Sequence, residues 1–269
     1  MTDAKPKTRS PLKQKPLRQP GQSLLEERAR IWDDKLEPWL LMSVFAVVLA
    51  GWEWFSYWRP RPPMPWLMTF VALSCLAFAA WRVLRLRPQM KTLRLGIEGE
   101  RVVGQYLDRL ASKGYRVFHD VVAEGFNLDH VLVGPAGVFT IETKTRSKPV
   151  RGDARVRYDG ESLTVAGFEP ERDAIAQAKG QARWLSALIA DTTERRVFVR
   201  PVVVFPGWFV EAAPQSHAQV WVMEPKGLPA FIEQEAQVLS KEDIAFIAKS
   251  ISMHVRALQR QRDGKTPLV

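Results

Sequence analysis

The sequence predicts a mixed α/β domain preceded by two apolar helices. Residues 36–91 contain two long apolar runs, and from about residue 92 helical and extended patterns alternate. With 269 residues and 46% hydrophobic content, the chain can bury one sizeable core and still have further segments. We divide it into a basic disordered arm with a short amphipathic helix (1–35), a two-pass hairpin with a basic linker (36–91), an α/β domain (92–210), and a C-terminal strand with helices packing on that domain (211–269).

The α/β domain is predicted to begin with a helix. Between Gly96 and Lys113, apolar residues recur at helical spacing, and the pattern ends at Gly114. They are Val102, Val103, Tyr106, Leu107 and Leu110. The remaining elements follow from apolar alternation and from runs bounded by turn residues. They are strands at 115–122, 127–133 and 137–144, a small hairpin at 155–166, a helix at 171–190, strands at 197–205 and 219–223, and helices near 227–238 and 241–262.

The two apolar runs are long enough to cross a membrane. Residues 39–58 (about 20, with Glu53 as the only charge) and 65–81 (about 17, uncharged) meet the ~17–25 residues that a spanning helix needs. Trp and Tyr cluster near the ends of the runs, as they do at membrane interfaces. Two buried helices of a soluble protein are the alternative.

The charges around the runs predict their orientation. Nine Lys or Arg residues precede the first run and five lie within 82–94, whereas the link at 59–63 has two. The positive-inside rule then gives a multi-pass protein of the cell inner (cytoplasmic) membrane with both termini in the cytoplasm. Residues 23–35 have helical spacing, and we expect this helix to lie against the membrane surface.

Net charge alone does not indicate the partner. The chain carries +10, but residues 1–91 account for +8 and the remainder for only +2. The basicity therefore belongs mainly to the membrane-proximal part and does not by itself indicate nucleic-acid binding. The single cysteine, Cys75, excludes an intramolecular disulfide and a multi-cysteine zinc site.

The strongest functional pattern is the run GVFTIETKT at 137–145. Side chains two apart share a face of a strand, so Glu142 and Lys144 project together while Phe139 and Ile141 face the other way. An apolar strand gains nothing structurally from an acid and an amine at its end. Glu142 and Lys144 are therefore candidates for chemistry.

A hairpin can bring a second acid to this pair. The apolar run 127–133 can pair with the next strand through the turn at 134–137, which sets Asp129 beside Glu142 with Lys144 close by. Two hard oxygen ligands suit Mg²⁺ or Mn²⁺. Crowded carboxylates should raise the pKa of Asp129 or Glu142. A purely structural ion pair between Asp129 and Lys144 is the alternative.

These motifs resemble a known family. The set G-x-x-G-E at 96–100, N-x-D-H at 127–130, G-P-x-G-V at 134–138 and E-x-K at 142–144 is similar to the nuclease-related domain (NERD) family of the PD-(D/E)xK nuclease superfamily. The resemblance covers roughly 92–210. It implies a restriction-endonuclease-like core of order α-β-β-β-α-β, with a mixed sheet flanked by helices.

The resemblance also implies roles for residues. Asp129, Glu142 and the backbone carbonyl of Thr143 would hold Mg²⁺ or Mn²⁺, with Glu100 of the first helix completing the shell. Glu100 fits that position better than Glu98, and a solvated helix glutamate is the alternative. The catalytic set would then be Glu100, Asp129, Glu142 and Lys144.

A basic segment follows the E-x-K motif. Arg146, Lys148, Arg151 and Arg155 could contact phosphates, or could equally face anionic lipid. Gln177 matches a glutamine seen near the active site of related nucleases, although Gln181 stands four positions on where those nucleases have tyrosine.

The sequence thus favours a membrane-anchored, metal-dependent nuclease that acts on nucleic acid, DNA more than RNA, with membrane lipid as a second partner. The rival interpretation is a non-catalytic tethered module that binds nucleic acid or protein on a nuclease-like fold. The oligomeric state is left open.

Overall fold

The computed structural model describes residues 17–58, 65–123, 125–148, 155–166, 172–213 and 219–265. The helices are α1 (Gln22–Lys35), α2 (Glu37–Ser56), α3 (Pro65–Asp108) with a 3-10 turn (Arg109–Lys113), α4 (Arg172–Thr193), α5 (Leu228–Gln234) and α6 (Lys241–Lys265). The strands are β1 (Arg116–Val122), β2 (Asn127–Gly134), β3 (Gly137–Thr143), β4 (Arg155–Tyr158), β5 (Leu163–Val165), β6 (Val199–Val204), β7 (Phe209–Ala212) and β8 (Trp221–Met223).

The main sheet is mixed and has the order β1-β2-β3-β6-β8. The pairs β1–β2 and β2–β3 are antiparallel, whereas β3–β6 and β6–β8 are parallel. A smaller sheet has the order β5-β4-β7. The structure is therefore a mixed α/β fold with a helical N-terminal region, as the alternating patterns predicted.

Helices cover both faces of the main sheet. On one face Phe139 and Ile141 of β3 pack with Leu107 of α3 and Ile232 of α5. On the other face, residues of β1 and β2 pack with α4 and α6, and the small sheet packs against α4. The apolar alternation of β3 fixes which of its side chains face α3, and this leaves Glu142 facing α4.

The predicted strands and helices are present, with two differences. The strand β7 was not predicted, because it has four residues and is positioned by parallel pairing with β4 rather than by a local pattern. The predicted linker at 82–91 is part of α3, which runs unbroken from the apolar run to the α/β domain. Pro88 lies within this helix, so the boundary between 91 and 92 falls inside one element.

The two apolar helices are long enough to cross a membrane, which is weak evidence for membrane association. Only 17% and 11% of their apolar windows are buried, unlike core helices of a soluble protein. They pack on each other through Ala46, Ala50 and Ala72, while larger apolar side chains such as Phe45 and Phe70 are exposed. Such a surface suits lipid contact.

The prediction that the basic N-terminal arm is disordered is wrong for the last residues of that arm. Residues 1–16 lie outside the described part of the chain, but residues 17–23, here called the N-terminal strap, pack against the α/β domain. Arg18 is only 6% exposed, and a Cβ at Gly104 of α3 would approach Pro20 within 2.7 Å. The basic, proline-rich composition predicted disorder because it offers no apolar core, but the strap is held by polar and charged contacts instead. From it, α1 continues along α3, with Ile31 and Leu86 in a shared core.

Candidate active site

The β2–β3 hairpin brings two acids together at one end of the main sheet. The register that pairs His130 with Ile141 sets Asp129 across from Glu142. Asp129 Oδ2 accepts a hydrogen bond of 2.7 Å from the backbone amide of Thr143. His130 is fully buried and packs against His119, as expected for a core histidine.

Glu142 is the centre of a polar network. It is 4% exposed, and its Oε1 lies 2.9 Å from Lys144 Nζ. Its Oε2 accepts a hydrogen bond of 2.6 Å from Gln181 Nε2. Lys144 Nζ also donates to Gln177 Oε1 at 2.9 Å. The ion pair at the site thus joins Lys144 to Glu142 rather than to Asp129.

Helix α3 supplies the third acid. Gly99 lies so close to Thr145 that an added Cβ would collide with its side chain, which lets the helix approach the end of β3. Glu100 is 7% exposed, and its Oε2 accepts a 2.8 Å hydrogen bond from the amide of Gly21. Glu98 instead forms an exposed ion pair with Arg94. The structure therefore buries Glu100 at the site and leaves Glu98 on the surface.

The electrostatics of Glu100 reflect its neighbours. Burial and the charges of Asp120 and Glu142 raise the pKa of Glu100 to about 7, against the opposing effect of the Gly21 amide. Glu100 therefore changes charge close to neutral pH.

The pKa of Asp129 is raised for similar reasons. Burial and the charges of Glu142 and Glu100 raise its pKa well above the usual range, opposed by the Thr143 amide and by Lys144. The pKa of Asp129 is therefore raised as expected, with burial as the largest cause and the neighbouring carboxylates next.

The sequence analysis missed two residues of this network. Asp120 is 2% exposed and adopts a left-handed backbone conformation (φ 49°), which interrupts the β1–β2 pairing opposite Asp129. An acid within the apolar run of β1 could have been found by the argument used for Asp129. Gln181 lies one helical turn after Gln177, so both amides face the site from α4.

The basic segment divides into two parts. Arg155 and Arg157 of β4 both form ion pairs with Glu211 of β7. The sequence did not indicate this pairing, because the strand that carries Glu211 was not predicted. Their positive charge is thus partly offset.

The earlier part of the basic segment, with Arg146 and Lys148, lies beside Trp208. The indole of Trp208 donates a hydrogen bond to the carbonyl oxygen of Arg146, and Lys148 Nζ lies 5.9 Å from the centre of the indole ring. Arg151 lies outside the described residues.

The site contains oxygen donors of the type that hard divalent cations bind. Three carboxylates with mutual repulsion favour binding of positive charge. Within the described residues, Thr143 Oγ1 and Gln181 Oε1 are buried oxygens with no hydrogen-bond partner. However, no group of three or more His, Cys, Asp or Glu in the described part of the chain is arranged to hold a metal ion. The carboxylates instead contact Gly21, the Thr143 amide, Lys144 and Gln181.

One of three comparisons with known proteins bears on the sequence motifs. A search of curated proteins gave no match. Among solved structures, that of Pyrococcus furiosus SfsA in complex with Ca²⁺ is similar over 51% of this chain and 55% of the SfsA chain, at 15% identity and a TM-score of 0.24. That match spans about half of the SfsA chain. The model of the nuclease-related domain family matches residues 95–206. The family that the motifs indicated is thereby confirmed for this segment, and residues 95–206 form a nuclease-related domain.

Proposed function

We propose that the chain is a membrane-anchored nuclease that hydrolyses phosphodiester bonds at the cytoplasmic face, with Mg²⁺ or Mn²⁺ as cofactor and a restriction-endonuclease-like core. One observation carries the proposal. Glu100, Asp129 and Glu142 meet beside Lys144 in a domain that matches a nuclease-related family. A purely structural role would not need three crowded carboxylates, because burying unpaired charge is costly.

The proposed metal ligands are Asp129, Glu142, the carbonyl of Thr143 and Glu100. A bound divalent cation would supply positive charge next to the scissile phosphate and offset the negative charge that develops there. The rest of the chemistry belongs to the chain's own groups, which must be oriented before substrate arrives.

Lys144 is the proposed catalytic cation. Hydrolysis joins a water oxygen to phosphorus and breaks the bond to the leaving oxygen. The Lys144 ammonium can orient the attacking water by hydrogen bonding and can offset charge on the phosphate oxygens. Gln177 and Glu142 hold this ammonium from two sides, and Gln181 holds Glu142.

Substrate contacts are proposed for the basic segment. Arg146 and Lys148 follow directly after the site and could bind phosphates of DNA, the favoured substrate, while the apolar helices keep the domain at the membrane. A reporter fused after Val269 should be active only in the cytoplasm. Activity only outside it would contradict the proposed topology.

One observation favours a second candidate, a non-catalytic module that binds nucleic acid or protein. Each site carboxylate already has a partner within the chain. Glu100 accepts a hydrogen bond from the Gly21 amide, and Asp129 accepts one from the Thr143 amide. Glu142 contacts Lys144 and Gln181. A site completed in this way can be kept for stability alone.

Cleavage by the full chain in detergent micelles would separate the two candidates. Single-stranded, duplex and branched DNA and RNA would be incubated with Mg²⁺, Mn²⁺ or a chelator. We expect metal-dependent cleavage that Glu142→Gln abolishes. Binding without cleavage on every substrate would favour the non-catalytic module, and cleavage retained by Glu142→Gln would point to a contaminating nuclease.

A further inference from the structure

Arg18 of the N-terminal strap forms two ion pairs, a buried one with Asp120 and a more exposed one with Glu26 of α1. Arg18 Nε lies 2.5 Å from Asp120 Oδ2, and both side chains are almost fully buried. Ser23 contributes two more hydrogen bonds to the same carboxylate, from its amide at 2.9 Å and from its hydroxyl at 2.5 Å. Asn127, at the start of β2, donates to Ser23 Oγ at 2.6 Å. The strap thus joins β1 to the strand that carries Asp129.

The strap also contacts a site carboxylate directly. The amide of Gly21 donates to Glu100 Oε2, and Gly21 itself has a left-handed conformation (φ 73°). The backbone of Gly21 lies against Ile97, and Pro20 packs against Gly104 on the same helix. These close approaches fix the strap on α3 on both sides of Glu100, so the amide that holds the carboxylate is itself held in place.

Charge explains why this arrangement matters for the site. Asp120 lies close enough to Glu100 to act on it electrostatically, so four carboxylates share one region: Glu100, Asp120, Asp129 and Glu142. Lys144 offsets Glu142, and Arg18 offsets Asp120. Without Arg18, an unpaired buried charge would stand beside Glu100 and push it away from its position.

The backbone of Asp120 supports the same conclusion. A left-handed conformation at a residue other than glycine is strained and persists only where its surroundings over-determine it. Here three hydrogen bonds from the strap hold the Asp120 side chain. Strain that is held by a distant segment beside a candidate site indicates pre-organisation.

We propose that the N-terminal strap is part of the active site, with Arg18 and Gly21 as positioning residues that hold Asp120 and Glu100 for the reaction at Asp129 and Glu142. This inference rests on the proposed nuclease function. Arg18 acts through Asp120 and touches no substrate, whereas Gly21 acts through its backbone amide on Glu100. The site is therefore complete only when the membrane-proximal segment is docked on the domain.

Full-length variants in detergent micelles test the proposal. Arg18→Gln should lower kcat about 10- to 100-fold, the scale of a small misplacement of reacting groups, with KM changed less than about threefold. It should also raise the Mn²⁺ concentration that gives the half-maximal rise in melting temperature, a measurement that needs no substrate. Arg94→Gln breaks the exposed ion pair to Glu98 on α3 and should match the unaltered chain.

Two further variants cover other outcomes. Arg18→Gln combined with Asp120→Asn removes both charges and should recover part of the lost kcat; no recovery would overturn the charge argument. If Arg18→Gln does not fold, Ser23→Ala decides, because it removes the hydroxyl that donates to Asp120 and accepts from Asn127 and Arg18, while the Ser23 amide and both charges remain. It should lower kcat without changing KM, and an unchanged kcat would overturn the proposal.

The controls separate this inference from the proposed function. An active, Mn²⁺-stabilised chain in which Arg18→Gln equals Arg94→Gln in kcat and in Mn²⁺ response overturns the strap proposal alone. A chain that neither cleaves nor responds to Mn²⁺ overturns the proposed function and the strap proposal with it.

Discussion

The two sides of the candidate site are held in different ways. On the hairpin side, Asp129 and Glu142 are set by backbone pairing of adjacent strands, and the neutralising Lys144 is two residues from Glu142. On the strap side, Glu100 and Asp120 are held by Gly21 and Arg18, which are 79 and 102 residues away in sequence.

The hairpin contacts therefore form the site, and the strap contacts complete it. The hairpin side forms whenever the main sheet forms, because its contacts are local and repeat the strand register. The strap side forms only when the N-terminal segment docks on α3. Changes on the strap side should therefore lower stability and, through the position of Glu100, also affect catalysis and the metal response. Changes on the hairpin side should act on catalysis and metal binding directly, with little effect on the fold.

The largest expected effect is on the strap side. Arg18→Ala leaves Asp120 buried without its charge partner and should lower the free energy of unfolding by about 3–5 kcal/mol. Arg94→Ala, which removes an exposed pair, should cost less than about 0.5 kcal/mol. Thermal melting of the full chain in detergent would measure both. Equal losses would mean that the buried Arg18–Asp120 pair contributes no more to stability than an exposed ion pair.

Glu100 should make the free energy of unfolding depend on pH. Its pKa is raised from 4.5 to about 7 in the folded chain, so between these values the folded chain holds a proton that the unfolded chain has released. Its contribution to stability is fully present below about pH 4.5 and is lost as pH rises through 7, by up to about 3 kcal/mol.

Melting of metal-free protein between pH 5 and pH 8 would test this. The decline should flatten in Glu100→Gln, whose side chain cannot ionise. It should persist in Glu98→Gln, the exposed neighbour two residues earlier. The same decline in Glu100→Gln would assign it to another group.

The two sides also differ in how far sequence predicts them. Asp129, Glu142 and Lys144 could be predicted because strand alternation and a short turn fix their proximity. Asp120 carried a usable signal, a buried acid in an apolar strand. Arg18 carried no such signal. In the sequence it belongs to a basic, proline-rich arm, and only the folded structure places Asp120 next to it.

The same reasoning explains the remaining differences. Helix α3 packs against α1 over the stretch that was predicted as a linker, and this long-range contact leaves no local pattern in the sequence. The pairing of Arg155 with Glu211 depends on β7, a strand too short to show alternation. Contacts set by local periodicity were predictable, whereas those set by long-range docking were not.

On the hairpin side, Lys144→Ala should lower kcat by at least about 10²-fold, the scale for losing a positioned charge-stabilising or proton-transfer group. The measurement is cleavage per folded molecule, so a melting curve must accompany it. Lys113→Ala, which removes an exposed ion pair with Glu233, is the matched control. A variant that melts much earlier yet keeps its specific activity would make Lys144 structural.

The smallest expected effect concerns metal binding by Asp129. At a metal concentration ten times Kd, binding to the folded chain alone should add about 1.4 kcal/mol to the free energy of unfolding. Asp129→Asn should abolish this gain, because an amide oxygen carries no charge to attract the ion. The metal-free fold should survive, since asparagine can still accept the hydrogen bond from the Thr143 amide and no longer repels Glu142. Melting with and without Mn²⁺ measures the gain, with Asp159→Asn, an exposed acid in the β4–β5 turn, as control. If Asp129→Asn is stabilised as much as the unaltered chain, the ion binds elsewhere, and the hairpin side loses its proposed chemistry while the strap side keeps its role in stability.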